Sequence, residues 1–278
     1  MITYIFVPLV LLGSIVAGLL GSLTGLGGGV VIVPLLVLVF HVNVKYAIGA
    51  SLVSVIATSS GAAAAYVREG YSNIRMGMFL EIATTLGALF GASLATRLPA
   101  GIIAVVFGAV LIVSAGLSLQ RVDPVNTGGP PDHLATHLKL DSAYPTPEGP
   151  QEYHVRRVPA GFAMMFGAGT LSGLLGTGSG AFKVLAMDQI MRVPFKVSTT
   201  TSNFMIGVTA AAGVGVYLRR GFVLPGLAMP VILGVLAGSM VGTRVLLRMK
   251  TTLLRLAFAV VIAALGAEMI YGGISGRF

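Results

Sequence analysis

The chain has 278 residues, 55% of them hydrophobic and only 10% charged, with a net charge of +9 and a mean hydropathy of +0.93. A soluble domain carries about 25% charged residues, so the composition excludes an ordinary soluble protein and indicates a polytopic membrane protein. The Lys and Arg residues sit between apolar segments, as topology signals do, which argues against a nucleic-acid partner, and the absence of cysteine excludes disulfides and thiolate metal sites.

The apolar segments run Ile2–Leu20, Val30–Phe40, Ala47–Val67, Met76–Thr96 and Ile102–Leu119 in the first part of the chain. In the second part they run Val158–Leu175, Ala181–Met191, Val197–Leu218, Val223–Leu247 and Thr252–Gly272. Four in each part are long enough to span a bilayer. The remaining one in each part is about 11 residues, roughly 16 Å of helix, about half of a ~30 Å hydrocarbon core. Met1–Leu20 lacks a basic lead-in and reads as a first membrane helix rather than a cleaved signal. Between the two parts, the polar and Pro-rich stretch 121–157 reads as an aperiodic, solvent-exposed connector. The expected organisation is therefore a first repeat over 1–120, the connector over 121–157 and a second repeat over 158–278.

The repeat is visible in the residues. Gly18-Leu-Leu-Gly-Ser-Leu-Thr-Gly-Leu-Gly-Gly-Gly29 returns without a gap, 151 residues later, as Gly169-Thr-Leu-Ser-Gly-Leu-Leu-Gly-Thr-Gly-Ser-Gly180. At the same offset Lys45 meets Lys196, Ser51 meets Ser202, Tyr66-Val-Arg68 meets Tyr217-Leu-Arg219, Gly87 meets Gly238 and Arg97 meets Arg248. Charges are scarce here, so three matched basic residues point to duplication.

If each short segment turned back without completing a crossing, the repeats would be parallel and the basic residues would divide almost evenly between the two sides. If it completes a crossing, Arg68, Arg75, Arg121, Arg156, Arg157, Arg192, Lys196, Arg248, Lys250 and Arg255 share a side. Only Lys45, Arg97, Arg219, Arg220 and Arg277 then oppose them. The positive-inside bias favours this inverted arrangement, with the connector cytoplasmic and both termini outside. The fold class expected is an all-α polytopic membrane protein of two homologous repeats, each with four long helices plus one short broken helix after a Gly-rich break.

A Gly-rich break frees backbone N–H groups, which in a membrane must be satisfied by protein, a cavity or a ligand. The start of the following short helix presents those donors and the positive dipole end, which suits an anion. The substrate-binding candidates are accordingly Ser22, Thr24, Gly27, Gly28 and Gly29 in the first copy. In the second they are Thr177, Gly178, Ser179 and Gly180, with Asn203 on the next helix. Lys183, three residues past Gly180, is a lysine at membrane depth and a candidate counter-charge; Ile32 holds the matching place in the first copy. Glu81 and Asp188 are candidate proton carriers, although Asp188 lies four residues before Arg192 and can pair with it on one helix face. No metal site, cofactor or catalytic constellation is expected.

The two Gly-rich clusters, Pro34, Val44-Lys45 leading into 47–54, and Pro194-Phe-Lys-Val-Ser-Thr-Thr-Thr-Ser-Asn203 resemble the sulfite exporter TauE/SafE family of bacterial membrane permeases. The resemblance covers nearly all the chain except the connector. It implies a non-enzymatic secondary transporter in the bacterial cytoplasmic (inner) membrane, moving a small sulfur-containing anion such as sulfite, an organosulfonate like sulfoacetate, or thiosulfate, by alternating access. Its partners would be that anion and the lipid bilayer, with homo-oligomerisation left open. The alternatives are a channel-like small-anion pore and a non-transport membrane scaffold subunit.

Overall fold

The apolar segments become helices. The computed structural model describes residues 2–24, 28–68, 71–119, 132–146, 149–246 and 251–277, with side chains described for 6–20, 28–60, 71–117, 132–145, 149–241 and 259–277. The first part holds α1 (Ile2–Thr24), α2 (Gly29–Pro34, continued by a π-helical turn over Leu35–Val39), α3 (Val44–Arg68), α4 (Ile74–Arg97) and α5 (Ala100–Leu119). The second holds α7 (Val158–Leu175), α8 (Gly180–Leu185, continued by a π-helical turn over Ala186–Ile190), α9 (Phe195–Arg219), α10 (Pro225–Leu246) and α11 (Thr251–Ile274). Between them lie α6 (His133–His137) and the antiparallel pair β1 (Ser142–Thr146) and β2 (Gly149–Tyr153).

Among the described residues, four helical stretches are long and apolar enough to cross a membrane: Ile74–Arg97, Ala100–Leu117, Val158–Leu175 and Phe195–Arg219. Rows of large apolar side chains face outward, such as Leu9, Leu12 and Val16 on α1 and Ile82, Leu86 and Phe90 on α4. Their i, i+3 and i, i+4 spacing makes continuous greasy faces, which a water-soluble surface rarely presents at such size.

Helices pair by laying glycine on backbone. A Cβ on Gly87 of α4 would lie 2.2 Å from the Phe166 carbonyl oxygen and 2.8 Å from the Thr170 nitrogen of α7. One on Gly238 of α10 would lie 2.0 Å from the Ile15 oxygen and 2.9 Å from the Leu19 nitrogen of α1. These are the same two contacts with every residue moved by 151. Going from Gly234 to Gly238 moves the contact from Leu11–Ile15 to Ile15–Leu19, so α1 and α10 run parallel. By contrast α5 and α11 run antiparallel, with Gly101 facing Gly273 and Gly108 facing Gly266. So do α3 and α9, where Gly49 meets Phe222 and Ser59 meets Gly207. Each part's first helix therefore packs on the other part's fourth, and the two parts are interleaved.

Each short helix returns to the side from which its long partner starts. The Phe6 ring near the start of α1 meets Phe40, just after α2, at 5.7 Å. The Arg156 N–H, just before α7, donates to the Met191 oxygen, just after α8, at 3.0 Å. Each of these pairs is a helical hairpin whose open end lies at one side. The endings also match at the offset of 151. Val42 N donates to Leu36 O at 3.0 Å and Val193 N to Met187 O at 2.9 Å, while His41 and Arg192 both take left-handed backbone with φ of 53° and 57°.

The connector departs from the expectation of an aperiodic, exposed stretch. Beyond residue 131 it folds, and Ala135, Leu140, Tyr153 and Val155 are buried in one cluster with Met76, Leu80, Met165, Met187 and Met205. These four apolar residues follow no helical or strand period. They share one buried cluster with residues of α4, α7, α9 and the turn after α8, which a local pattern does not reveal. Burial pushes the Tyr153 phenol up to about 12, so it stays protonated across the physiological range.

Gly87→Ala is expected to cost about 1–3 kcal/mol by forcing α4 and α7 apart. Gly167→Ala, where a Cβ meets nothing within 4 Å, should be close to neutral. Thermal unfolding of the two variants in detergent micelles checks the difference.

Candidate functional site

The second Gly-rich break is held by its neighbours. α7 stops at Gly176, whose φ of 72° is a left-handed value that glycine accepts at little cost, as is the 73° of Gly178. The carbonyls freed at the end of α7 find hydroxyls on the helices beside it. Gly176 O accepts from Ser51 Oγ of α3 at 2.8 Å, and Gly173 O and Leu174 O accept from the Tyr217 hydroxyl of α9 at 3.2 and 3.4 Å. Ser51 also reaches Gly29 O at 3.5 Å, and its counterpart Ser202 reaches Gly180 O at 3.3 Å. A Cβ on Gly29 would lie 2.8 Å from Gly176 O, so the two Gly-rich segments touch. The core of the first break, 25–27, lies outside the described residues.

Gly28, Gly29, Thr177, Gly178, Ser179 and Gly180 are all buried at this meeting point. Gly178 packs on Ile206 and Val55, and Gly28 on Val235. The Ser179 hydroxyl donates back to the Ala168 carbonyl of α7 rather than capping α8. Asn203 is half-buried on α9. Gly27 and the side chains of Ser22 and Thr24 lie outside the described residues.

One turn beyond the break lies a charged cluster. Lys183 on α8 is 0% exposed, and its ammonium donates to Thr209 Oγ1 on α9. Thr209 in turn donates to Glu81 Oε1 on α4 at 2.7 Å and lies 3.3 Å from Thr84 Oγ1. Thr85 donates to the same carboxylate oxygen at 3.3 Å. Glu81 is 8% exposed, and its Oε2 is buried without a hydrogen-bond partner among the described residues. One hydroxyl thus bridges a buried ammonium and a buried carboxylate, and three helices depend on the neutrality of the pair. Removing one partner of such a pair costs about 3–5 kcal/mol unless another charge replaces it.

Lys183 and Glu81 were both singled out by the sequence, but their pairing was not, and Thr209, Thr84 and Thr85 were missed. A signal was present. At the offset of 151, Lys183 stands opposite Ile32, Glu81 opposite Ile232 and Asp188 opposite Val37, while Thr209 matches Thr58. In each pair a charged residue exchanges for an aliphatic one, with Lys183 and Asp188 in the second part and Glu81 in the first.

Asp188 and Arg192 form no close ion pair among the described residues; the Arg192 charge acts on the carboxylate only from farther off, and Gln189 hydrogen-bonds it. Asp188 is 2% exposed, with Oδ1 lacking a hydrogen-bond partner among the described residues, whereas Arg192 is exposed. The π-helical turn widens the spacing beyond i, i+4, and the left-handed backbone at Arg192 turns its side chain outward. Nor does Asp188 join the Lys183–Glu81 hydrogen bonds.

No solved structure matches the chain. It is 30% identical over 278 residues to the probable membrane transporter protein YunE of Bacillus subtilis (strain 168), covering 97% of this chain and 98% of that one. It is 26% identical over 264 residues to the probable membrane transporter protein YdhB of the same organism, covering 95% and 100%. To the probable membrane transporter protein MJ0441 of Methanocaldococcus jannaschii it is 23% identical over 281 residues, covering 96% of each. With a multi-pass helical membrane architecture, and with the profile described as Sulfite exporter TauE/SafE matching residues 10–269, the chain belongs to the sulfite exporter TauE/SafE family of membrane transporters.

Proposed function

We propose that this protein is a secondary transporter of a small sulfur-containing anion, such as sulfite, an organosulfonate or thiosulfate, in the bacterial cytoplasmic membrane, and that Lys183 is the counter-charge for the anion. The observation that carries the reading is the Lys183–Thr209–Glu81 cluster, a buried ammonium neutralised through a hydroxyl beside two touching helix breaks. An oxyanion arriving at the breaks competes with Glu81 for Lys183. Glu81 gives way by taking a proton, because an unpaired carboxylate at that depth is costly. Anion and proton then move together. The family's name supports sulfite as the first substrate to try. Backbone and hydroxyl groups of Gly28, Gly29, Thr177, Gly178, Ser179, Gly180 and Asn203 line the remaining path, and Asp188 is a second proton carrier nearer the connector.

The halves are inverted repeats on this reading. The antiparallel runs of α3 with α9 and α5 with α11, and the contacts that recur at an offset of 151, support it. Because α1 is seated on α10 and α4 on α7, alternating access moves those mixed pairs about α3 and α9, not one half of the sequence against the other.

In proteoliposomes, Lys183→Met is expected to lower sulfite or sulfoacetate flux at least about tenfold, the loss from roughly 1.4 kcal/mol of binding. Glu81→Gln should keep anion binding but remove the dependence of flux on a pH gradient. Wild-type flux that ignores the gradient points to the channel-like pore instead, and no flux of any sulfur anion overturns the proposal. Single cysteines at Glu152 and Arg192 are expected to label from the cytoplasmic side and one at Arg220 from the opposite side. Labelling of Arg220→Cys together with Glu152→Cys, and of Arg192→Cys from the other side, would instead mean parallel repeats.

A further inference from the structure

The folded part of the connector lies over the charged cluster. Lys183 has Met187 four residues toward the end of α8, Thr209 has Met205 four residues toward the start of α9, and Glu81 has Met76 five residues toward the start of α4. The ends named are the ones that meet the connector: Arg156 bonds Met191 beyond α8, and Asn73 at the start of α4 bonds both the connector and α9. Met187, Met205 and Met76 belong to one buried cluster that the connector completes with Ala135, Leu140, Tyr153 and Val155. A methionine side chain is unbranched and adapts to changed packing. The far-side counterparts at the offset of 151 are Leu36, Ser54 and Leu227, with no connector above them in the sequence.

The lid is held by a small set of hydrogen bonds. Asn73 Nδ2 donates to the Leu140 carbonyl and to the Tyr153 hydroxyl, both at 2.8 Å. Its Oδ1 accepts from Met76 N at 3.0 Å, capping α4, and its N–H donates to Thr201 Oγ1 of α9 at 3.0 Å. One residue therefore joins the connector to both helices that carry Thr209 and Glu81, by its side chain to the connector and the start of α4 and by its backbone N–H to α9. The position matching Asn73 is Leu224, whose side chain can make no such joint.

We infer that residues 132–146 and 149–157 form a gate over the connector-side entrance to the Lys183–Glu81 site, latched by Asn73 and Tyr153 and closing on a methionine seal. The inference rests on the proposed transport site, and its novelty is the gate: access from the connector side requires the Asn73–Tyr153–Leu140 bonds to open and the methionines to repack. The matching positions on the other side, Leu36, Ser54 and Leu227, carry no methionine.

The chain has no cysteine, so Met187→Cys reports the seal by its rate of modification with a membrane-impermeant thiol reagent present on both sides of proteoliposomes. Tyr153→Phe removes a latch bond and keeps the α4 cap; Asn73→Ala removes both. Loss of one hydrogen bond of about 1 kcal/mol should speed modification about fivefold in Tyr153→Phe, and more in Asn73→Ala. Leu36→Cys, the far-side counterpart, should keep its rate in both backgrounds. An unchanged rate at Met187→Cys, or an equal rise at Leu36→Cys, overturns the gate. Lys183→Met separates the two readings, since it should abolish anion flux without altering the rate at Met187→Cys. A latch-dependent rate with no flux of any sulfur anion leaves the gate standing and removes the transport proposal.

Discussion

A helix broken inside a membrane leaves carbonyl and N–H groups that no water reaches, and each must find a partner in the protein. Around Gly176 this requirement places two helices. Ser51 of α3 serves Gly176 O and Gly29 O, Tyr217 of α9 serves the last carbonyls of α7, and Ser202 of α9 serves Gly180 O. α3 and α9 are thereby fixed against both breaks. Once they are fixed, the glycine seams between α1 and α10 and between α4 and α7 decide how closely the outer helices approach. The result is a pair of breaks in contact at the centre, held by hydroxyls that a purely apolar helix would not supply.

On that nearly symmetric frame the charges are not symmetric. Lys183, Glu81 and Asp188 stand on the connector side, while Ile32, Ile232 and Val37 hold the matching places. Backbone geometry repeats even where the side chains do not, as the twin π-helical turns and the left-handed His41 and Arg192 show. The frame therefore tolerates an ammonium or an isoleucine at the same position, provided that a counter-charge is supplied across the helix interface. Thr209 links the two charges, and its counterpart Thr58 meets no such pair.

Much of the architecture was legible in the sequence because membrane helices announce themselves by length and apolarity. The short helices begin and end within a residue or so of the apolar runs Val30–Phe40 and Ala181–Met191. Lys183 and Glu81 stood out for a similar reason, since a charge in such a run is rare. Asp188 and Arg192 interact only at longer range than α-helical spacing implies, because a sequence carries no mark of a π-helical turn. The folded connector was missed because its apolar residues are matched to α4, α7 and α9, not to any local period.

By itself the sequence determined the class of protein, the residue correspondences at an offset of 151 and the positions where helices must break, because hydropathy, glycine and charge act locally and leave periodic traces. Only the tertiary structure decided that Lys183 and Glu81, 102 residues apart (183 − 81), share one hydroxyl, that the two parts interleave helix by helix, and that part of the connector is a packed element. Those outcomes depend on which helix faces meet, and the meeting is set by glycine seams and by hydroxyls satisfying freed carbonyls, interactions between residues far apart in the chain.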